Sequence, residues 1–258
     1  MKTLDERLDD IVKESVAEVV ARADKVVRPR GAGNSRHEPK DSADFFPTPA
    51  WATRALIEHV FKPLNLYNPG NAVWEPACGA LNMVHALTEY YNDVTATDID
   101  PRRDAWGDIG RRADFFTTLP PTERLDDCKW VITNPPFNLF IPFFEYAMIA
   151  AIRGVAMFVP LTALEGKMRY EKIFKRYAGN FCVAPFVERV PIIKNHVRRD
   201  ATTARAYAWL VVTENAPLPP LLHIPPCRKQ LERDADYAAA YQDALPTAAD
   251  LRGILNDI

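Results

Sequence analysis

Two rhythms of apolar and polar residues run along this chain. In residues 4–27, Leu4, Leu8, Ile11, Val12, Val19, Val20 and Ala23 recur near helical spacing with charges between them, which predicts one helix. Residues 28–36 are polar, basic and rich in turn formers, and predict a linker. From about Asp44 the pattern changes. Thr48-Pro49 has the form of a helix cap followed by proline in the first turn, and predicts a helix through Trp51, Leu56 and Val60. Short apolar or β-branched runs then predict strands at 72–74, 94–97, 129–133, 155–159, 181–190 and 207–212. Between them, longer segments predict helices at 81–91, 140–151 and 164–177. Such alternation predicts an α/β domain with a mostly parallel sheet and helices on both faces. Residues 216–226 are proline-rich and predict a surface tether, followed from Lys229 by a helix interrupted at Pro246. Three parts result: an N-terminal helix and basic linker (1–43), a compact domain (44–215), and a tether with a helical tail (216–258).

Composition narrows the picture. The 258 residues, 48% of them hydrophobic, are enough for one sizeable core. A formal net charge of -2 requires any nucleic-acid footprint to be local. The basic loop carrying Lys194, Arg198 and Arg199 is the candidate for phosphate contact. Cys78, Cys128, Cys182 and Cys227 are far apart, without zinc-ligand spacing or a disulfide framework. With no signal-peptide core and no apolar run long enough to span a bilayer, the expectation is a cytoplasmic protein without metal or membrane.

Four segments carry candidate chemistry. Asn134-Pro135-Pro136-Phe137 follows an apolar strand directly. Two prolines fix the backbone and remove two N–H donors, leaving carbonyls free to face a ligand. Asn134 adds a side-chain acceptor and Phe137 a flat apolar face. An aromatic amine is a poor nucleophile because its lone pair is delocalised into the ring. Two acceptors binding its hydrogens favour a pyramidal nitrogen and stabilise the positive charge that develops on attack. Glu75-Pro76-Ala77-Cys78-Gly79 is an acidic residue and a small-residue turn between a strand and a helix, suited to close approach of a ligand with a cationic group. Asp98-Ile99 ends the next strand, about 20 residues on, where a carboxylate meets ribose hydroxyls. Asp114-Phe115 pairs an acid with an aromatic. Each also reads as ordinary structure: a stiffened turn, a small-residue loop, surface acids, a loop start.

Taken in order, these segments resemble the gamma-type N6-adenine DNA methyltransferases, especially the small forms of phages and prophages. That family places a Thr-Pro segment first, here Phe46-Pro47-Thr48-Pro49, then the acidic glycine turn, the ribose acid, the Asp-Phe pair and Asn-Pro-Pro-aromatic. The resemblance covers roughly residues 44–213, with Glu188-Arg189-Val190-Pro191 and Ala208-Trp209-Leu210-Val211 similar to its last strand pair. It implies the class I S-adenosylmethionine-dependent methyltransferase fold, with a seven-stranded sheet and one antiparallel strand near the edge. It implies S-adenosyl-L-methionine as cofactor, held by Phe46, Thr48, Pro49, Glu75, Pro76, Cys78, Gly79, Asp98, Ile99, Asp114, Phe115 and Asn134. Asn134, Pro135, Pro136 and Phe137 become the catalytic segment, acting by direct transfer without a covalent enzyme intermediate. DNA is the implied partner, its target adenine flipped out or single-stranded. Alternatives are an RNA or protein-glutamine amino methyltransferase, or a catalytically silent nucleic-acid-binding relative. Two departures stand out. Leu81 occupies a turn position where the family has glycine, and is expected to crowd the cofactor. No large target-recognition domain follows Thr213. The N-terminal helix is a candidate for pairing two copies.

Overall fold

The computed structural model describes Ala21 and residues 46–100, 111–117, 128–194, 197–201 and 203–237. The N-terminal helix, the basic linker and the region around Pro246 lie outside these residues. Seven strands form one sheet: β1 (Ala72–Glu75), β2 (Asp93–Asp98), β3 (Arg111–Arg112), β4 (Cys128–Thr133), β5 (Gly154–Pro160), β6 (Phe181–Pro185) and β7 (Tyr207–Thr213). Their order is β3-β2-β1-β4-β5-β7-β6. All neighbours are parallel except where β7 runs antiparallel to β5 and β6. This is the class I methyltransferase fold.

Strand alternation divides the interior in two. One face gathers Val73, Trp130, Ile132, Ala156, Phe158 and Trp209 beneath α1 (Ala50–Leu56), which continues as a wider π-type turn over Ile57–Phe61, and α2 (Asn82–Leu87). The other gathers Trp74, Val131, Val155, Met157, Leu210 and Val212 beneath α3 (Phe140–Ala150) and the helix α4 (Lys167–Arg169, continuing over Tyr170–Lys175). Strands β5 and β7 are buried along their whole length, as inner strands covered on both faces must be. Among the described residues no helix is long and apolar enough to cross a membrane.

Three sequence expectations change. The strand expected over 181–190 stops at Pro185, because beyond its pairing with Ala208 the antiparallel partner β7 has only its first residue left. Residues 216–226 are not a free tether. Val183 N donates to Pro220 O, Leu222 N to Val183 O and Ile224 N to Pro185 O, so this segment lies along β6 and covers the sheet edge. The prolines fit there, since an edge segment needs only alternate N–H groups. Of the helix expected from Lys229, the described residues to 237 form one short α5 (Arg228–Leu231) and a 3-10 turn at Asp234–Tyr237.

Candidate functional site

The site forms at the C-terminal ends of β1, β2 and β4, where open α/β sheets collect ligands. At the end of β1, Glu75 is 1% exposed. Its Oε1 accepts from Thr133 Oγ1 at 2.6 Å and from Ala77 N at 3.0 Å. Burial pushes its carboxyl up to about 8, against the lowering effect of those two hydrogen bonds, with the nearby charge of Asp98 adding to the rise. Thr133, the last residue of β4, was not singled out by sequence. Its position beside Asn134 was the available signal.

Beyond Glu75 the chain turns sharply. Gly79 has φ 49° and Leu81 φ 62°, both left-handed. Asp98, at the end of β2, fastens this turn: one carboxylate oxygen accepts from Gly79 N at 2.8 Å and the other from Asp100 N at 2.9 Å. Cys78 N donates to Thr97 O. Leu81 does not crowd the turn's open side. Its side chain is 1% exposed and packs with Cys78, Val84 and Ala96. The departure from glycine is therefore absorbed by a small apolar cluster. Next to Asp98, Ile99 is 66% exposed, an apolar side chain at the rim.

After β4, Asn134 Nδ2 donates to Phe46 O at 2.8 Å. A carbonyl can only accept, so this contact fixes which way the amide faces. Asn134 Oδ1 is consequently turned away from Phe46, and it is buried without a partner among the described residues. The same bond brings Phe46-Pro47-Thr48-Pro49 against Asn134-Pro135-Pro136-Phe137. Thr48 and Pro49 are buried; Phe46, Pro136 and Phe137 are half-buried, and Pro135 is buried.

Asp114 and Phe115 separate in role. Asp114 Oδ1 accepts from Phe116 N, and the carboxylate stays half-exposed. Phe115 is 3% exposed, its ring centroid 4.3 Å from that of Phe143 and 5.1 Å from that of Trp74. Its ring packs among other aromatics of the core, whereas the Asp114 side chain stays partly open to solvent.

Four buried oxygens in these segments lack a hydrogen-bond partner among the described residues: Thr48 Oγ1, Glu75 Oε2, Asn82 Oδ1 and Asn134 Oδ1. Each costs about 1–3 kcal/mol if left unsatisfied. Glu75 and Asn134 flank Thr133, the first through its hydrogen bond and the second as its chain neighbour, so their unpartnered oxygens sit where a polar ligand would complete them. Glu75 Oε2 suits an ammonium, Asp98 retains lone pairs for hydroxyls, and Ile99 offers an apolar surface for a flat ring. These features fit S-adenosylmethionine. The four cysteines are buried thiols; burial pushes Cys128 and Cys227 up to about 12 and Cys182 to about 11, so these three do not supply a thiolate at neutral pH.

The basic loop is a different matter. Arg198 Nη2 lies 2.7 Å from Asp200 Oδ2, and Arg199 Nη2 lies 2.6 Å from Asp234 Oδ1. Lys194 also has a partner within the chain. The loop's arginines are already matched by carboxylates, a pairing that sequence spacing could not show for Asp234.

No protein-family model matches the chain, and no curated protein matches it. Solved structures do. A type I restriction-modification methyltransferase subunit from Streptococcus thermophilus is 12% identical, with TM-score 0.49, covering 82% of this chain and 52% of its own. The 23S rRNA methyltransferase ErmE is 16% identical, with TM-score 0.44, over 68% of this chain and 72% of its own. A dimethyladenosine transferase from Plasmodium falciparum is 14% identical, with TM-score 0.40, over 63% and 61%. The strand order, rather than these distant likenesses, identifies the fold.

Proposed function

We propose that this chain is an S-adenosylmethionine-dependent methyltransferase acting on the N6 amino group of adenine in DNA. The observation that carries the reading is Asn134 Oδ1: a buried acceptor without a partner among the described residues, its amide oriented by Phe46 O, directly after an apolar strand. Glu75, Asp98, Ile99 and Asp114 would hold the cofactor, with Thr48 and Gly79 beside them. The bound cofactor supplies an electrophilic methyl group on a sulfonium. The chain's own part is to ready the acceptor. Asn134 Oδ1 and the Pro135 carbonyl accept the two amino hydrogens, which draws the nitrogen out of conjugation and stabilises its developing charge. Phe137 presents a ring on which the base can stack, and the paired prolines hold these groups in fixed geometry. An adenine inside a duplex cannot reach this turn, so the base is flipped out or taken from a single strand.

The test is methyl transfer from labelled cofactor to separate DNA, RNA and protein acceptors. Label in N6-methyladenine of DNA is the expected result; label confined to RNA or to glutamine overturns the substrate assignment. Asn134→Ala should lower turnover at least about a hundredfold, the usual loss of one preorganised acceptor, while cofactor affinity stays within a few-fold. A variant with wild-type turnover removes Asn134 from the mechanism.

A further inference from the structure

Arg198 and Arg199 of the basic loop each meet a carboxylate in an exposed ion pair, and among the described residues a second group of cations lies free of such pairs. The segment after β5 provides them. Residues 161–176 contain Lys167, Arg169, Lys172, Lys175 and Arg176 against two acids, Glu165 and Glu171. Lys172 pairs with Glu145 and Lys175 with Glu171. Lys167, Arg169 and Arg176 have no carboxylate partner among the described residues.

The same stretch exposes apolar surface. Leu161 is 37% exposed, Met168 58% and Tyr170 57%. The Tyr170 ring has no aromatic neighbour among the described residues, although the chain's interior is dense with ring pairs. Gly166, at φ 108°, makes the turn that starts this helix, a conformation that a side chain would strain.

The segment borders the catalytic turn. Leu161 directly follows β5, the parallel neighbour of β4, from whose end Asn134 emerges. Arg169 Cζ stands 5.8 Å from the ring centroid of Phe140, three residues past Phe137. Arg169 Nη1 also donates to Glu165 O, which holds the guanidinium there.

We propose that Tyr170 is a stacking platform for an unpaired DNA base next to the target adenine, and that Lys167, one helical turn before it on the same face, and the neighbouring Arg169 hold that strand's phosphates. This rests on the DNA-methyltransferase reading above. An exposed aromatic ring flanked by unmatched cations is the combination that binds a single strand, bases on rings and phosphates on charges. A protein partner of ordinary apolar character would gain nothing from the unmatched cations, and an acidic one would leave the ring without purpose.

The test measures binding of a fluorescein-labelled single-stranded DNA oligonucleotide of mixed sequence by anisotropy, alongside methyl transfer, for the full chain and three variants. Tyr170→Ala should weaken binding about fivefold to a hundredfold, the range for losing one stacked base. Tyr170→Phe should bind like wild type, because it keeps the ring. Lys167→Gln should flatten the log–log salt dependence by about 0.7, one single-strand phosphate contact. Equal thermal melting of all variants guards against unfolding, which their exposure makes unfavourable to expect. If wild type binds and methylates DNA but Tyr170→Ala retains full affinity, the platform is overturned while the function stands. If wild type methylates only RNA or protein, or binds no DNA, both fall.

Discussion

Glu75 shows how one residue can link fold, pH and ligand. Its carboxyl is buried with Oε2 unpartnered among the described residues and is pushed up to about 8. The folded value lies above the ordinary 4.5, so the proton it retains favours the fold below that value. That contribution is lost as pH rises from about 4.5 through about 8. The ligand-free protein should therefore weaken over this window, and Glu75→Gln, which cannot ionise, should lose less stability there; denaturant melts at pH 5 and pH 8 read the difference. Binding a cationic amino group reverses the preference. At pH 7 cofactor binding should release protons, visible as a dependence of calorimetric heat on buffer ionisation enthalpy. Absence of proton release would separate Glu75 from the ammonium. Leu81 offers a second residue-scale case. A left-handed leucine costs about 1–2 kcal/mol, while its burial returns about 1.5–3 kcal/mol. Leu81→Ala keeps the strain and loses most of the packing; Leu81→Gly loses packing but relieves the strain. Glycine should thus be the milder substitution by about 1 kcal/mol in urea unfolding, with cofactor affinity within about twofold for both. Alanine milder than glycine would mean that position 81 is not strained.

At the scale of elements, the β1–α2 turn is held by its neighbour strand more than by itself. Asp98 accepts from both Gly79 N and Asp100 N, so its carboxylate shapes the turn before any ribose arrives. Asp98→Ala should lower both fold stability and cofactor affinity. The ribose role is isolated by comparing S-adenosylmethionine with an analogue lacking the ribose hydroxyls. Wild type should prefer the natural cofactor, and the variant should lose most of that preference; unchanged discrimination would leave Asp98 a purely structural tie. Strands and helices of this region were legible because their apolar runs are uninterrupted: β4, β5 and β7 lie within a residue or two of where Trp130–Ile132, Val155–Val159 and Tyr207–Val212 place them. The strand-end motifs were legible because proline and glycine leave few backbone options. β3 was not, since Arg111 and Arg112 are both exposed and carry no apolar signature. The packing of Phe115 had no local trace either: an aromatic beside an acid looks the same in sequence whether its ring meets a ligand or, as here, Phe143. The pairing of Arg199 with Asp234, 35 residues apart, depends on the chain's return past β6 and has no local trace.

At the scale of the whole molecule, that return makes residues 216–237 part of the domain. Arg54 on α1 is 3% exposed. It spends all five N–H groups on three partners: two bonds to Glu89 just beyond α2, two to Asp236, and one to Leu231 O at 2.7 Å. Arg233 adds a second contact to Glu89 at 2.9 Å. Ala50 at the start of α1 and Asn82 at the start of α2 line the cleft beside this cluster, so the clasp sets the spacing of two helices that border the cofactor turn. Burial works against the charge on Arg54, but its hydrogen bonds to Asp236 and Glu89 more than offset this and leave its pKa above the ordinary arginine value. Its contribution is fully present below that value, so it does not vary across the neutral range. Arg54→Met keeps the stem's bulk and removes the cation, stranding Asp236 and Glu89. That should cost about 3–5 kcal/mol, the penalty of breaking a buried pair from one side. Lysine should recover little, because an ammonium cannot reproduce the fork that meets two carboxylates and a carbonyl. Asp236→Asn alone should cost less, and added to Arg54→Met it should cost almost nothing more, since the interaction it disturbs is already gone. Urea unfolding of the four proteins measures this cycle. Strict additivity of the two losses would show that residues 228–237 rest on the domain without being held by Arg54.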